Sequence, residues 1–68
     1  KIQLLDPLTK REQETLEWMA KGFSSKAIGK YMFISQKTVE LHRYNVLSKL
    51  GALNGVNAIY NACKLGLI

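Results

Sequence analysis

Residues 24–50 read SSKAIGKYMFISQKTVELHRYNVLSKL, and this stretch decides the fold. Serines stand at the start of both halves, where a hydroxyl can cap a helix by accepting hydrogen bonds from free backbone amides. Apolar side chains recur in both halves at spacings of three and four, which is typical of helices with one buried face. We therefore predict a short helix ending near Met32, a tight connection, and a longer helix that Ser35 caps and that runs to Leu50 before Gly51.

Two further helices flank this pair. Thr9 and Glu12 form a capping-box pattern, so a first helix is predicted to begin at Thr9 and to stop at Gly22. Asn54 can cap a last helix that ends at Gly66. Strand patterns are weak along the whole chain. The predicted fold is an all-α, four-helix (tetrahelical) helix-turn-helix domain, in which the first helix covers the central pair.

Each predicted helix is expected to bury one apolar stripe, because residues three and four apart share a helix face. The predicted inner faces carry Leu8, Thr15, Leu16, Met19, Ala20 and Phe23 in the first helix, Ala27, Ile28, Tyr31 and Met32 in the second, Val39, Val46, Leu47 and Leu50 with His42 oblique in the third, and Val56, Ala58, Ile59, Ala62 and Leu65 in the fourth. In the first helix, Glu14, Glu17 and Lys21 are predicted to face outward.

The charge of the chain gives the first indication of a partner. The 68 residues leave room for one small domain, whose core we expect to span residues 8–68. Ten lysines and arginines against five acidic residues give a formal net charge of +5, and the surplus lies in residues 18–50, where Glu40 is the only acidic residue. This surplus favours a nucleic acid or another anionic surface as partner, although a solvated surface without a partner would look the same.

Composition disfavours several classes of protein. One cysteine, Cys63, excludes an internal disulfide, and one histidine, His42, leaves a structural zinc site short of ligands. No apolar run reaches the length of a membrane span and no signal-peptide pattern is present, so we expect a cytoplasmic protein without membrane contact. The sequence contains no nucleophile, base and orienting residue at a spacing that would support catalysis. We therefore expect no catalytic residues, no cofactor, no metal and no enzymatic activity.

The third helix offers a mixed surface opposite its apolar stripe. Lys37, Leu41, Tyr44 and Ser48 share this side, and Glu40 flanks it. A cation, an aliphatic side chain and a phenol can together contact base edges in a major groove, and a leucine there can contact a thymine methyl group. Glu40 can accept from the amino group of cytosine, or it can pair with Lys37 or Arg43 along the helix. The predicted base-facing residues are Lys37, Glu40, Leu41 and Tyr44.

Other residues are suited to hold the phosphate backbone. The start of the second helix presents free amides and the positive end of the helix dipole, which favour a phosphate. Hydroxyls and cations near the two central helices would add contacts that set position without reading sequence. The predicted phosphate contacts are Ser24, Ser25, Lys26, Thr38, Arg43 and Lys49. Helix capping alone would also explain the serines.

Several motifs in one order resemble the LuxR-type, or GerE-type, DNA-binding domain of bacterial transcription regulators. They are Leu8-Thr9-x-Arg11-Glu12, Ala20-x-Gly22-x-Ser24-x-Lys26-x-Ile28, Ile34-Ser35-x-Lys37-Thr38-Val39-Glu40-x-His42-Arg43-x-Asn45-Val46, Lys49-Leu50-Gly51 and Gly66-Leu67-Ile68. The run from Lys37 to Arg43 is similar to the variant found in response regulators of the NarL and FixJ kind. The chain departs from the family pattern at Ser25, Ala27, Tyr44 and Gly55.

The resemblance implies a role for each of the central and last helices. The third helix would enter the major groove with Glu40, Leu41 and Tyr44 towards the bases, and the fourth would mediate a homodimer on two half-sites. The dimer contacts implied are Val56, Asn57, Tyr60, Asn61 and Lys64. Because the chain begins at Lys1 and not at methionine, we expect a C-terminal fragment of a longer regulator, with an N-terminal receiver or ligand-binding domain.

The sequence thus predicts sequence-specific binding of double-stranded DNA by the output domain of a bacterial transcription regulator. The alternative is a helical protein–protein interaction module that docks a partner through Leu41, Tyr44 and the fourth helix, with DNA binding weakened or lost. Glu40 and Gly55 support this alternative, since a carboxylate near the DNA backbone is repelled and Gly55 stands where similar domains frequently have an arginine.

Overall fold

The computed structural model describes residues 3–68, and Lys1 and Ile2, which open the predicted domain, lie outside the described residues. The helices are α1 (Lys10–Ala20), α2 (Ser25–Met32), α3 (Gln36–Leu50) and α4 (Gly55–Lys64). Residues 3–68 contain no strand. The predicted all-α fold and the order of its four helices are confirmed.

Every helix begins with a side-chain cap, as the sequence predicted. The Thr9 hydroxyl accepts from the backbone N–H of Glu12, and the Glu12 carboxylate accepts from the N–H of Thr9 at 3.0 Å, which completes the capping box. Asn54 caps α4 in the same manner, as do Ser24 and Ser35 at the starts of α2 and α3. Because each cap satisfies an amide without an intrahelical partner, the starts of the helices are fixed by local chemistry.

The turn between α2 and α3 is tight, as the sequence predicts. Phe33 closes α2 in the left-handed region at φ 59° and ψ 42°, although it is not a glycine, and its side chain is 93% exposed. A Cβ atom on Gly29 would lie 2.7 Å from the backbone oxygen of Ile34. The close approach of the turn therefore requires a glycine at position 29, while Phe33 carries backbone strain.

The core consists of two clusters of buried residues that α3 joins. One cluster contains Leu16, Val46, Leu50, Ala58 and Ala62. The other contains Met19, Ile28, Met32 and Val39. Both α1 and α3 contribute to each cluster, and α3 also packs against α2 and α4, so it is the central element of the domain. Its buried side matches the predicted stripe.

Three residues predicted on inner faces are exposed instead. Ala20 ends α1 on the solvent side, and Val56 lies in the first turn of α4 with 80% of its surface exposed. Tyr31 is also exposed, because its ring stacks on the outer side of Trp18 at 4.6 Å between centroids and does not enter the core. Helical spacing identifies a stripe, but it does not locate the edge of the neighbouring helix that covers it.

Candidate nucleic-acid interface

The exposed side of α3 brings most of the predicted base-facing residues together. Lys37, Leu41, Tyr44 and Ser48 are all exposed, with Leu41 at 57% and Tyr44 at 71%. We call these four residues the α3 front. Because the opposite side of α3 is held in both core clusters, the front is presented outward by a fixed helix.

Glu40 lies beside the front and is exposed. Its Oε2 accepts a hydrogen bond from Nε2 of Gln36 at 3.2 Å, one helical turn earlier. Within residues 3–68 Glu40 forms no ion pair with Lys37 or Arg43, so the intrahelical pairing considered from the sequence is not the one adopted. The partnership with Gln36 was not predicted, although the spacing of a glutamine and a glutamate four residues apart indicates it.

The start of α2 carries the first group of predicted phosphate contacts. Ser24 is exposed and its hydroxyl accepts from the N–H of Ala27 at 3.2 Å, so it is the residue of the serine pair that caps the helix. Ser25 is half-buried in the first turn, and Lys26 is exposed. Thr38, in the first turn of α3, shares a 2.9 Å hydrogen bond with the hydroxyl of Ser35. All four residues retain exposed surface at helix starts.

Lys49, another predicted phosphate contact, forms an ion pair within the domain. Its Nζ lies 2.5 Å from Oε1 of Glu12, and the Lys49 side chain is 23% exposed. Burial of Glu12 raises the pKa of its carboxyl group, but the hydrogen bonds from Lys49 and Thr9 and the charge of Lys49 outweigh burial and hold the pKa below its usual value. The ammonium group of Lys49 therefore joins α1 to α3, and the phosphate contact predicted for Lys49 stays a prediction.

Asn61, a predicted dimer contact, is buried and bonded within the domain. Its residue surface is only 6% exposed, and its Nδ2 donates to the backbone oxygen of Leu50 at 3.0 Å. This bond satisfies a carbonyl in the last turn of α3, which has no partner within that helix. The side chain of Asn61 thus connects α3 to α4 inside the domain, and the dimer contact predicted for it stays a prediction.

Arg43 extends towards α4 and away from the α3 front. Its Nη2 lies 3.6 Å from the position that a Cβ atom on Gly55 would take. Arg43 lines an open groove of about 830 Å³ between the end of α1 and the start of α4, together with Met19, Phe23, Leu53 and Tyr60. The phosphate contact of Arg43 stays a prediction. Arg43 would make this contact from the edge of the domain next to α4.

The outer side of α4 carries the other predicted dimer contacts. Val56 and Tyr60 are exposed one turn apart, and Cys63 follows one turn later on the same side. Nζ of Lys64 lies 5.6 Å from the centre of the Tyr60 ring. Asn57 is half-buried, and its Oδ1 accepts from the N–H of Leu53 at 3.0 Å. The exposed members form an uncovered stripe along α4.

An aromatic cluster links α1 to α2 and was not predicted. The ring planes of Trp18 and Tyr31 are 9° from parallel, and Phe23 meets both rings edge-on at centroid distances of 5.4 and 5.1 Å. Nζ of Lys21 lies 4.9 Å from the centre of the Trp18 ring. These contacts pack α2, which carries the candidate phosphate residues at its start, against α1.

Two further features of the described residues bear on other kinds of site. None of the helices in residues 3–68 combines the length and the apolar character needed to cross a membrane. The same residues contain no group of three His, Cys, Asp or Glu side chains placed to hold a metal ion.

Comparison with known proteins identifies the family. The family GerE, bacterial regulatory proteins of the luxR family, matches residues 6–62. The transcriptional activator protein SolR of Ralstonia nicotianae is 46% identical over 61 residues, which are 90% of this chain and 26% of SolR. The response regulatory protein YgeK of Escherichia coli is 40% identical over 60 residues, which are 88% of this chain and 41% of YgeK, so the predicted kinship with response regulators is confirmed.

A solved structure gives the same result. The VqmA–ligand–DNA complex from Vibrio cholera superposes with a TM-score of 0.85 and 35% identity, over 96% of this chain and 29% of VqmA. The chain spans about a quarter to two fifths of the length of these relatives. The order of motifs, the four helices and these matches agree, and the chain belongs to the luxR family of bacterial regulatory proteins.

Proposed function

We propose that this domain binds double-stranded DNA in a sequence-specific manner, with α3 in the major groove, as the DNA-binding part of a bacterial transcription regulator. The observation that carries this proposal is the α3 front, four exposed side chains on a helix whose back is locked into both core clusters. A helix of 15 residues is about 22 Å long, and the major groove admits one helix. The front supplies a cation, a methyl surface and a phenol to the base edges.

Phosphate binding adds affinity that does not depend on base sequence. Lys26 stands at the start of α2, where unpaired amides and the helix dipole favour a phosphate, and Ser24 and Ser25 offer hydroxyls at the same place. Lys37 extends the positive surface to α3. Because the charge of Lys49 is paired with that of Glu12, the cations of α2 and of the first turn of α3 contribute most of the affinity for phosphate.

We further propose that the regulator acts as a homodimer through the exposed stripe of α4, formed by Val56, Tyr60 and Lys64 with Asn57 beside it. An exposed valine and tyrosine one turn apart are suited to self-association around a two-fold axis. Two copies would then read half-sites whose centres are about 10 base pairs apart. The proposed role is not catalytic and belongs to the cytoplasm, where the bacterial chromosome lies.

The full regulator would add a sensing domain on the N-terminal side. SolR, YgeK and VqmA are all more than twice as long as the part of them that this chain matches. The kinship with a response regulatory protein favours a receiver domain, and a ligand-binding domain is the alternative. Either kind of added domain would control how often the α4 stripes of two copies meet. If the added domains associate, they tether two DNA-binding domains and raise the effective concentration of one for the other.

The test is a titration of fluorescent duplex DNA with the 68-residue chain at several salt concentrations. We expect affinity to fall steeply with salt, because each phosphate contact contributes a slope of about −0.9 in log affinity against log salt. The double variant Lys26→Ala, Lys37→Ala should lose most of its affinity, whereas the control Lys10→Ala, an exposed cation at the start of α1, should bind as the wild type does. No binding at low salt, or a flat salt response, would overturn the proposal.

The same variants separate DNA binding from the alternative function, docking of a protein partner. One observation favours docking, since Leu53 and Val56 are exposed beside the groove that Arg43 lines. An apolar docking surface on α4 would be insensitive to the loss of Lys26 and Lys37. A protein partner that binds the double variant with unchanged affinity, combined with no affinity for any duplex, would establish the alternative.

A further inference from the structure

Gln36 and Glu40 form an exposed pair at the edge of the α3 front. Nε2 of Gln36 donates to Oε2 of Glu40 at 3.2 Å. Gln36 is uncharged, and the ion pairs within residues 3–68 are Arg11 with Glu14 and Lys49 with Glu12, so the negative charge of Glu40 is not cancelled. If α3 enters a major groove, this charge enters with it.

An ionised carboxylate accepts hydrogen bonds and donates none. The phosphates repel it, so it must find a donor on a base edge to be tolerated in the groove. Guanine and the carbonyl of thymine present acceptors in the major groove, and only the amino groups of cytosine and adenine donate. Adenine places its N7 acceptor next to that amino group, whereas cytosine presents its amino group alone. A carboxylate therefore selects cytosine over the other three bases.

Gln36 decides which oxygen of Glu40 makes that contact. Its amide occupies Oε2 and restrains the rotation of the carboxylate, which leaves Oε1 to accept from a base. Because a glutamate side chain loses considerable rotamer freedom when it is ordered, a restraint that exists before binding reduces the entropy lost in binding. The neighbouring Lys37 is free of this pair and remains able to contact DNA.

We propose that Glu40 makes the domain select cytosine at one position of each half-site, and that Gln36 is the positioning residue that holds the carboxylate for this contact. The inference rests on the proposed function, since it requires α3 in the major groove. It adds the identity of a base, which neither the fold nor the family determines.

The test begins with selection of a binding site from random duplexes and continues with four duplexes that differ at one base pair of that site. The wild type should prefer cytosine over the other bases by about tenfold at one position. Glu40→Gln should shift this preference to adenine, because an amide donates to N7 and accepts from the amino group in a bidentate pair. Gln36→Ala should reduce the preference for cytosine about threefold and leave affinity for mixed-sequence DNA unchanged.

A pair of the same chemistry on α1 supplies the control. Nε2 of Gln13 donates to Oε2 of Glu17 at 3.3 Å, far along the chain from the α3 front. Glu17→Gln changes net charge by the same amount as Glu40→Gln, so equal gains in overall affinity would reflect charge alone. Only Glu40→Gln should change the preferred base.

The possible outcomes distinguish the two proposals. If the wild type binds duplex DNA but has no cytosine position that responds to Glu40→Gln, the inference is overturned while the proposed function stands. If Gln36→Ala keeps the full preference, Gln36 is not a positioning residue and that part of the inference is overturned. If the wild type binds no duplex at low salt, the proposed function fails and the inference fails with it.

Discussion

Lys49 donates to Glu12 across the contact between α1 and α3, and this pair joins the first helix cap of the domain to the last turn of its central helix. Glu12 is 4% exposed and serves both its own cap and the lysine. The two partners are 37 residues apart along the chain. The pair therefore fixes the start of α1 against the helix that carries the candidate recognition residues.

Replacement of Lys49 by methionine should destabilise the domain by about 2 kcal/mol, because the carboxylate of Glu12 would stay buried without its charged donor. The free energy of unfolding can be measured in urea with the fluorescence of Trp18, the single tryptophan. Lys10→Met, which alters an exposed lysine at the start of α1, is the control and should change stability little. Equal stability of both variants would contradict the role assigned to the pair.

The same pair predicts a dependence of stability on pH. The pKa of Glu12 is lower in the folded state than in the unfolded state, so its stabilising contribution is complete above the unfolded value of about 4.3 and is lost as pH falls through the folded value. Unfolding in urea between pH 7 and pH 3 should show wild-type stability falling in the acid range. Glu12→Gln should be less stable at pH 7 and should lose less stability on acidification than Glu17→Gln.

Phe33→Gly should stabilise the domain by about 1 kcal/mol, because glycine occupies the left-handed region without the Cβ penalty and the lost ring is exposed. For a domain of this size, thermal unfolding should shift upward by roughly 4–8 °C. Phe33→Ala removes the same ring but keeps the Cβ atom. A gain of equal size in the alanine variant would show that backbone strain is not the cause.

Gly29→Ala should destabilise the domain by about 1–3 kcal/mol despite the better helix propensity of alanine, because the new Cβ atom would lie 2.7 Å from the oxygen of Ile34. Gly55→Ala in α4 is the matched substitution, with its nearest neighbour at 3.6 Å, and should be neutral or stabilising. Thermal unfolding of both variants gives the comparison. Similar melting temperatures would argue against the close approach at Gly29.

Tyr44→Ala and Lys26→Ala should affect DNA binding in different ways. Tyr44 is 71% exposed on the α3 front, so its loss should change the preferred bases, while loss of Lys26 should weaken binding to every duplex alike and reduce the salt slope by about 1. Affinities for a selected site and for mixed-sequence DNA separate these effects. A uniform loss of affinity in Tyr44→Ala would mean that its phenol contacts phosphate.

The helix boundaries were predictable because they depend on residues close in sequence. The caps at Thr9, Ser24, Ser35 and Asn54 and the left-handed glycines each act within a few residues. Local patterns of this kind are sufficient to place four helices and the exposed side of α3.

The features that the sequence does not show are contacts between residues far apart in the chain. The sequence gives no sign that Lys49 pairs with Glu12 or that Asn61 donates to the carbonyl of Leu50, because each partner belongs to another helix. The direction of Arg43 towards Gly55 depends on where α4 packs, which helical spacing does not give. From sequence alone a polar side chain is predicted to be exposed, and only the tertiary structure shows whether it has a hydrogen-bond partner inside the domain.

Because α3 supplies side chains to both core clusters, its inward residues cannot vary without loss of stability, while the four outward ones touch nothing that the fold needs. Under the proposed function, exchange of a few of these solvent-facing side chains, one at a time, would retarget the domain to a new operator on an unchanged scaffold. Duplicated copies of such a domain would then fold identically and differ only in the DNA that they select.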